Sequence, residues 1–290
     1  MSVTMKQNGT TVPTRRRIVA TPGTFLVAGG MIMFLLLLLG VVGSVVVNSF
    51  ATQWFDSWMP DGFTLSWYAT AWKDFDLGQV VGTTLIVSVA VVFFSVVIGA
   101  PASYVLARRN FPGKSVVMLV FLLPIMMPPI TYGIPLATLL TYLHLAPGLT
   151  GVILANLVPS VPFVILTMTP FIEQINPGIE SAARMCGANM FKLFTKILAP
   201  LLVPGILAAA VLVLVRTVGM FELTFLTSDS TSSTLVVSLF NAMTGAGIRA
   251  QQSVDAMAVI YMAMMMLLLA IALRFVNPTQ LVSQMKEVDD

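Results

Sequence analysis

Apolar and polar positions in this chain are segregated into long blocks. Six stretches, residues 25–47, 84–106, 116–140, 152–171, 202–226 and 254–276, are apolar almost throughout. About 20 such residues cross the hydrocarbon core of a bilayer as a helix, so the pattern predicts six transmembrane helices. The period-two alternation of a membrane barrel strand is missing from these runs.

Composition strengthens that picture. The chain of 290 residues is 57% hydrophobic and 9% charged, where soluble domains carry about 25% charge. The fold class expected is an all-α membrane protein. Arg15, Arg16 and Arg17 precede the first run, which at 23 residues is too long for a cleaved signal and reads as a retained span. Lys6 and those three arginines, then Arg108, Arg109, Lys114, Arg184, Lys192, Lys196, Arg274 and Lys286, all fall on one side of a six-span topology. Only Lys73 and Arg249 fall on the other side, and Arg216 lies within the fifth run. The positive-inside bias therefore puts both termini in the cytoplasm. The expected organisation is a cytoplasmic tail (1–22), a six-span domain (23–276) and a second cytoplasmic tail (277–290).

The first outer loop holds Trp54, Trp58, Trp67 and Trp72 with Asp56, Asp61, Asp74 and Asp76. Tryptophan favours the membrane interface, so a short amphipathic segment on the outer leaflet is expected, as an anchor or as a partner contact. A net charge of +3 without a basic stripe gives no reason to expect nucleic acid. One cysteine, Cys186, excludes an internal disulfide. One histidine, His144, leaves no metal-ligand spacing and no histidine-based catalytic constellation within the bilayer.

The hydrophobicity breaks between the fourth and fifth runs, at "IESAARMCGANMFKLFTKILAP", residues 179–200. Asn176, Pro177 and Gly178 read as a turn, with Pro177 suited to the start of a helix. Ala182, Ala183 and Cys186 are small and fall near one helical face, with Cys186 expected to be partly buried. Gly187 suits a C-cap. A second helical segment then climbs to Pro200 and Pro204. The passage reads as a short helix–turn–helix parallel to the membrane, serving either as a docking knob for a cytoplasmic partner or as a cover for lipid headgroups.

Charges within a span face a cavity, a partner or each other. Arg216 and Glu222, with Phe221 beside them, are candidates for a solute path or gate, or for a structural pair with another helix. Asn156, Ser160 and Thr167 in the fourth run are further candidates, with bonding to backbone or neighbouring helices as the alternative. Pro124, Pro128, Pro129 and Pro135 predict kinks in the third run. The Ser/Thr-rich segment 227–253 is expected to hold a short helix at 235–243, or to be disordered around Ser230–Ser233. The methionines, including Met264–Met266, read as adaptable apolar filler.

Residues 179–200 resemble the EAA loop of permease subunits in binding-protein-dependent importers of the ATP-binding cassette (ABC) class. The family pattern is Glu-Ala-Ala, three residues, Gly, nine residues, Ile, one residue, Leu-Pro. Ala182, Ala183, Gly187, Ile197 and Pro200 match it. Ser181 stands where the family has Glu, with Glu180 one place earlier, and Ala199 stands where Leu is usual. The wider likeness runs over about 83–275 and takes in "VGTTLIVSVAVVFFSVVIGAPASYVLARR" and "LLPIMMPPI".

The resemblance implies a type I importer permease fold, with a coupling loop at 172–200 and Glu180, Ser181, Ala182, Ala183 and Gly187 contacting a cytoplasmic ATPase. It implies a second permease subunit, expected to differ from this one, two ATPase subunits, and a solute-binding protein outside a bacterial inner membrane. Such a subunit is not itself an enzyme and has no cofactor. The pattern G-x-x-x-x-G-K-[ST] is missing, so ATP and Mg are expected on the partner chains. The solute expected is a polyamine or related organic solute, with a sugar or oligosaccharide as the alternative. An ion-coupled secondary transporter is the rival class, and would call for inverted repeats with intramembrane acids.

Overall fold

The computed structural model describes residues 22–54, 58–245 and 250–275. The basic N-terminal tail, Asp56, Arg249 and the acidic C-terminal end lie outside the described residues. Among those described, regular structure is helical apart from one antiparallel bridge between Ala51 and Phe63. The chain divides at Val45 into two units. The first comprises most of helix α1 (Pro22–Phe50), whose described side chains there are apolar apart from Ser44 and largely exposed, as suits a helix bathed in hydrocarbon.

Among the described residues, the second unit holds eleven further α-helices. They are α2 (Ser66–Asp74), α3 (Leu77–Arg108), α4 (Lys114–Met126), α5 (Pro129–Tyr142), α6 (Leu149–Gln174), α7 (Pro177–Met185), α8 (Met190–Leu193), α9 (Ala199–Val218), α10 (Glu222–Thr227), α11 (Leu235–Thr244) and α12 (Gln251–Phe275). Five helices, with α8 and α9 counted as one, are long and apolar enough to cross a membrane, and the α4–α5 pair makes a sixth span if taken together.

The main core lies where α3, α6 and α9 meet, around Val87, Val91, Val164, Met168, Leu202 and Val213. Two glycines allow the close approach. A Cβ on Gly99 would stand 2.7 Å from Cγ1 of Val164, and one on Gly205 would stand 2.8 Å from Cγ of Phe171. Small residues at crossings are how membrane helices gain packing energy without a hydrophobic drive between them.

Two expected spans are corrected. The third run is not one kinked helix: α4 and α5 are bent by 99° at Met127–Pro128. Pro128 forces Met127 into the extended region, at φ −81° and ψ 142°. Neither Pro128 nor Pro129 has an N–H with which to continue the ladder. The fifth run is also not continuous to 226. It ends at Val218, with Gly219 as its cap, and a separate α10 starts at Glu222. Arg216 and Glu222 therefore belong to different helices.

At its other end this span opens with a π-helical turn, Phe194–Leu198, between α8 and α9. Pro200 offers no N–H to the Lys196 carbonyl, and the wider turn sits just ahead of it. The segment α2 packs against α12, with the Trp67 indole donating to the Ala51 carbonyl at 2.8 Å. The Ser230–Ser233 stretch is an ordered turn, described below.

Candidate coupling helix and solute path

Helix α7 starts and stops where local chemistry dictates. Asn176 is its N-cap, its side chain accepting from the Gly178 N–H at 2.8 Å, and Pro177 takes the first helical position. Gly187 ends it with φ +80°. The Gly187 N–H donates to the Arg184 carbonyl and the Ala188 N–H to the Ala183 carbonyl, both at 3.0 Å. That pair of bonds is a Schellman closure. A Cβ on Gly187 would meet nothing within 4 Å, so backbone conformation, not crowding within the chain, is what calls for glycine here. Asn189 caps α8 in turn by accepting from the Lys192 N–H.

One face of α7 is turned inward and the other outward. Glu180 is the helix's buried residue, and Ala183 packs partly into the main core. Ser181, Ala182, Arg184, Met185, Cys186 and Gly187 are exposed. The partial burial expected for Cys186 does not occur, because the helix ends at Met185 and Cys186 turns away with the cap. Among the matched positions, then, Ser181, Ala182 and Gly187 lie open while Glu180 and Ala183 face the protein.

The Glu180 carboxylate is fully engaged. Oε2 accepts from the Tyr104 hydroxyl at 2.6 Å, and Oε1 accepts from Arg108 Nε at 2.7 Å. A second guanidinium nitrogen of Arg108 donates to the Ile175 carbonyl at 2.5 Å, at the end of α6. The Tyr104 ring meets Phe194 edge-on, with centroids 5.8 Å apart. One carboxylate thus gathers the ends of α3, α6 and α7 and the π turn leading into α9. Sequence reading missed Tyr104 and Arg108 as partners. The available signal was their spacing of four, which puts both on one face of a helix end.

The second charged cluster is looser. The Arg216 guanidinium carbon lies 5.7 Å from the centroid of the Phe163 ring, a cation–π contact. Among the described residues, no carboxylate lies within ion-pair distance of Arg216. Glu222 opens α10 beyond the break, and the Tyr132 hydroxyl of α5 is buried without a hydrogen-bond partner. Phe221, Phe225 and Phe240 form an aromatic cluster next to them, with centroids 4.8 to 5.7 Å apart. Asn156 and Ser160 do not join this group as free polar atoms. Asn156 donates to the Val152 carbonyl and to Thr224 Oγ1, and the Ser160 hydroxyl donates to the Asn156 carbonyl. Both are buried and bonded to helices.

A cavity of about 540 Å³ lies between α2, α10 and α11, with Asp74, Asp76, Asp229, Ser233, Ser238 and Asn241 in its wall. Asp229 Oδ1 accepts from the N–H and hydroxyl groups of both Thr231 and Ser232 at 2.7–2.9 Å. Those bonds, the Ser232 hydroxyl foremost, hold its pKa down to about 2. His144 is exposed, at φ +59°. No group of three or more potential metal ligands exists among the described residues.

Comparison with known proteins gives this geometry a family. A probable ABC transporter permease of Sinorhizobium fredii is 29% identical over 188 residues, covering 65% of this chain and 66% of that protein. The trehalose transport system permease of Mycobacterium tuberculosis is 36% identical over 121 residues, 42% of this chain and 44% of that one. The sulfate transport system permease of Salmonella typhimurium is 28% identical over 218 residues, 69% and 73%. The chain spans about half to two thirds of the length of the first two relatives.

In fold it is similar to a crystal structure of a bacterial ABC transporter that imports the acidic polysaccharide alginate. The TM-score is 0.72 at 19% identity, over 86% of this chain and 95% of that one. The alginate transporter in complex with its pentasaccharide-bound periplasmic protein matches with a TM-score of 0.64 at 16% identity, over 85% and 91%. Residues 96–281 match the family model for the inner membrane component of binding-protein-dependent transport systems, and this chain belongs to that family of membrane permease subunits.

Proposed function

We propose that this subunit lines the path of a small polar solute across a bacterial inner membrane, driven by ATP hydrolysis on partner chains. The observation that carries the reading is α7. It is a well-capped helix with an open small-residue face, set between two spans in the region that matches the family. The exposed small residues Ser181, Ala182 and Gly187 leave room for close approach of another protein's surface, and a rigid cap suits transmission of force. The Lys and Arg distribution supports a cytoplasmic position for α7 and both termini.

The partners we assign are two ATPases under α7, a second permease subunit of different sequence, and a binding protein over the acidic cavity beside α11. The alginate transporter was captured with a periplasmic protein, which supports the last of these. ATP and Mg belong to the ATPases, and this subunit catalyses nothing itself.

For the solute, a sugar or an oxygen-rich anion has more support than a polyamine. A polyamine is named for none of the relatives described above, whereas trehalose, sulfate and alginate are. Arg216, which lies over the Phe163 face, can donate to hydroxyl or carboxylate oxygens. Arg216, Phe221 and Glu222 are the path residues we favour; Asn156 and Ser160 support the helices that carry them.

The test is reconstitution in proteoliposomes with the cognate ATPases and binding protein. Uptake should require ATP, and Gly187→Trp should abolish transport-coupled hydrolysis while the subunit still reaches the membrane. Normal uptake by that variant would overturn the reading. The solute bound by the cognate binding protein identifies the cargo.

A further inference from the structure

The exposed face of α7 explains how a push arrives, but not how it leaves. Helix α7 has nine residues and a single buried one, Glu180. Its carboxylate is held by Tyr104 and Arg108 of α3, and Arg108 also holds the last carbonyl of α6. The Arg108 and Glu180 side chains are 13% and 9% exposed, so water does little to screen the pair. Glu180 lies in the first turn of α7 and Arg108 in the last turn of α3, where each helix dipole favours the charge it carries. Two oxygens with separate donors fix orientation as well as distance.

From this geometry we infer that the Tyr104–Arg108–Glu180 knot is the transmission link of the transporter. It makes α7 and the end of α3 one rigid body, so that displacement of α7 moves α3, and through their shared core α6 and α9. Glu180 is a positioning residue that faces the protein's own span, while the open face one step round the helix, at Ser181 and Ala182, meets the driving partner. This inference rests on the coupling role proposed above for α7.

The two are separable by measuring solute transported per ATP hydrolysed in the assembled transporter with its binding protein. Glu180→Gln keeps the side chain's volume and removes its charge. Expected is a fall of about tenfold in solute per ATP, with binding-protein-stimulated hydrolysis kept within about threefold. Tyr104→Phe, which removes one hydroxyl, should lower the ratio by about two- to threefold. The exchange Arg108→Glu with Glu180→Arg should recover part of the ratio lost in either single variant.

An unchanged ratio in both Glu180→Gln and Tyr104→Phe would overturn the inference. So would loss of assembly in every variant, which would assign the knot to folding alone. Failure of the underlying coupling reading looks different: Gly187→Trp would then transport normally whatever the knot variants do.

Discussion

Two clusters of charge within this apolar chain, at the α3–α7 junction and at the α9–α10 break, are built in opposite ways. At the α3–α7 junction, Arg108 and Glu180 are paired at 2.7 Å, a second nitrogen of Arg108 donates to the Ile175 carbonyl, and the Tyr104 hydroxyl donates to the other carboxylate oxygen. At the α9–α10 break, Arg216 rests on a phenylalanine ring, Glu222 sits on another helix, and the Tyr132 hydroxyl of α5 is buried without a hydrogen-bond partner. Buried charge that is fully bonded holds elements in one arrangement. Charge left loosely bonded is free to make its hydrogen bonds with something that passes. The contrast suits a machine in which one site transmits movement and the other meets cargo.

Substitutions can break or sharpen that contrast, and the largest effect belongs to the knot. Glu180→Ala strands the Arg108 guanidinium in a buried setting, and losing one partner of such a pair costs about 3–5 kcal/mol. A fall in the thermal midpoint of the purified subunit measures it. Gly187→Ala comes next. Its φ of +80° is costly for a residue with a Cβ, by about 1–2 kcal/mol, although the space around it is open. The loss should therefore follow backbone strain and not side-chain size, which a comparison of Gly187→Ala with Gly187→Asn reads directly.

Arg216→Ala should reverse the pattern of Glu180→Ala. Arg216 is half-buried and has no ion-pair partner to strand among the described residues, so stability should fall by only about 1–2 kcal/mol, the worth of a partly desolvated cation–π contact. Solute uptake should fall much further, and its concentration dependence should move with it. Equal stability losses at Glu180 and Arg216 would erase the contrast.

The smallest effect is at Asp229. Its pKa is lowered from 3.8 to about 2 by hydrogen bonds from Ser232 and Thr231. A depressed carboxylate stabilises the fold above its unfolded pKa, and that contribution fades as pH falls through the folded value. The thermal-midpoint difference between wild type and Asp229→Asn should be constant above about pH 4 and shrink toward pH 2.

What the sequence disclosed depended on range. The long apolar blocks were legible because transfer from water is additive along a span. The caps of α7 were legible because Asn176, Pro177 and Gly187 act on backbone within a few residues. The break in the third run was not, because hydropathy carries no direction: Pro128 and Pro129 announced a disturbance, but not a bend of 99°. The split between Arg216 and Glu222 escaped for the same reason, since Gly219 sits in a run that stays apolar on both sides. The Arg108–Glu180 pair spans 72 positions of sequence, and Arg108 first read only as a topology charge. Its partner became visible once α3 and α7 were folded together.

The central claim is that the open face of α7 meets a cytoplasmic partner. The chain's single cysteine, Cys186, is exposed at the end of α7 and reports on this without any substitution. Labelling with a membrane-impermeant maleimide should fail in intact spheroplasts and succeed in inside-out vesicles stripped of ATPase. It should be blocked again when the ATPase subunits are restored. Labelling of Cys186 from the outside, or labelling unaffected by the ATPases, would contradict the account.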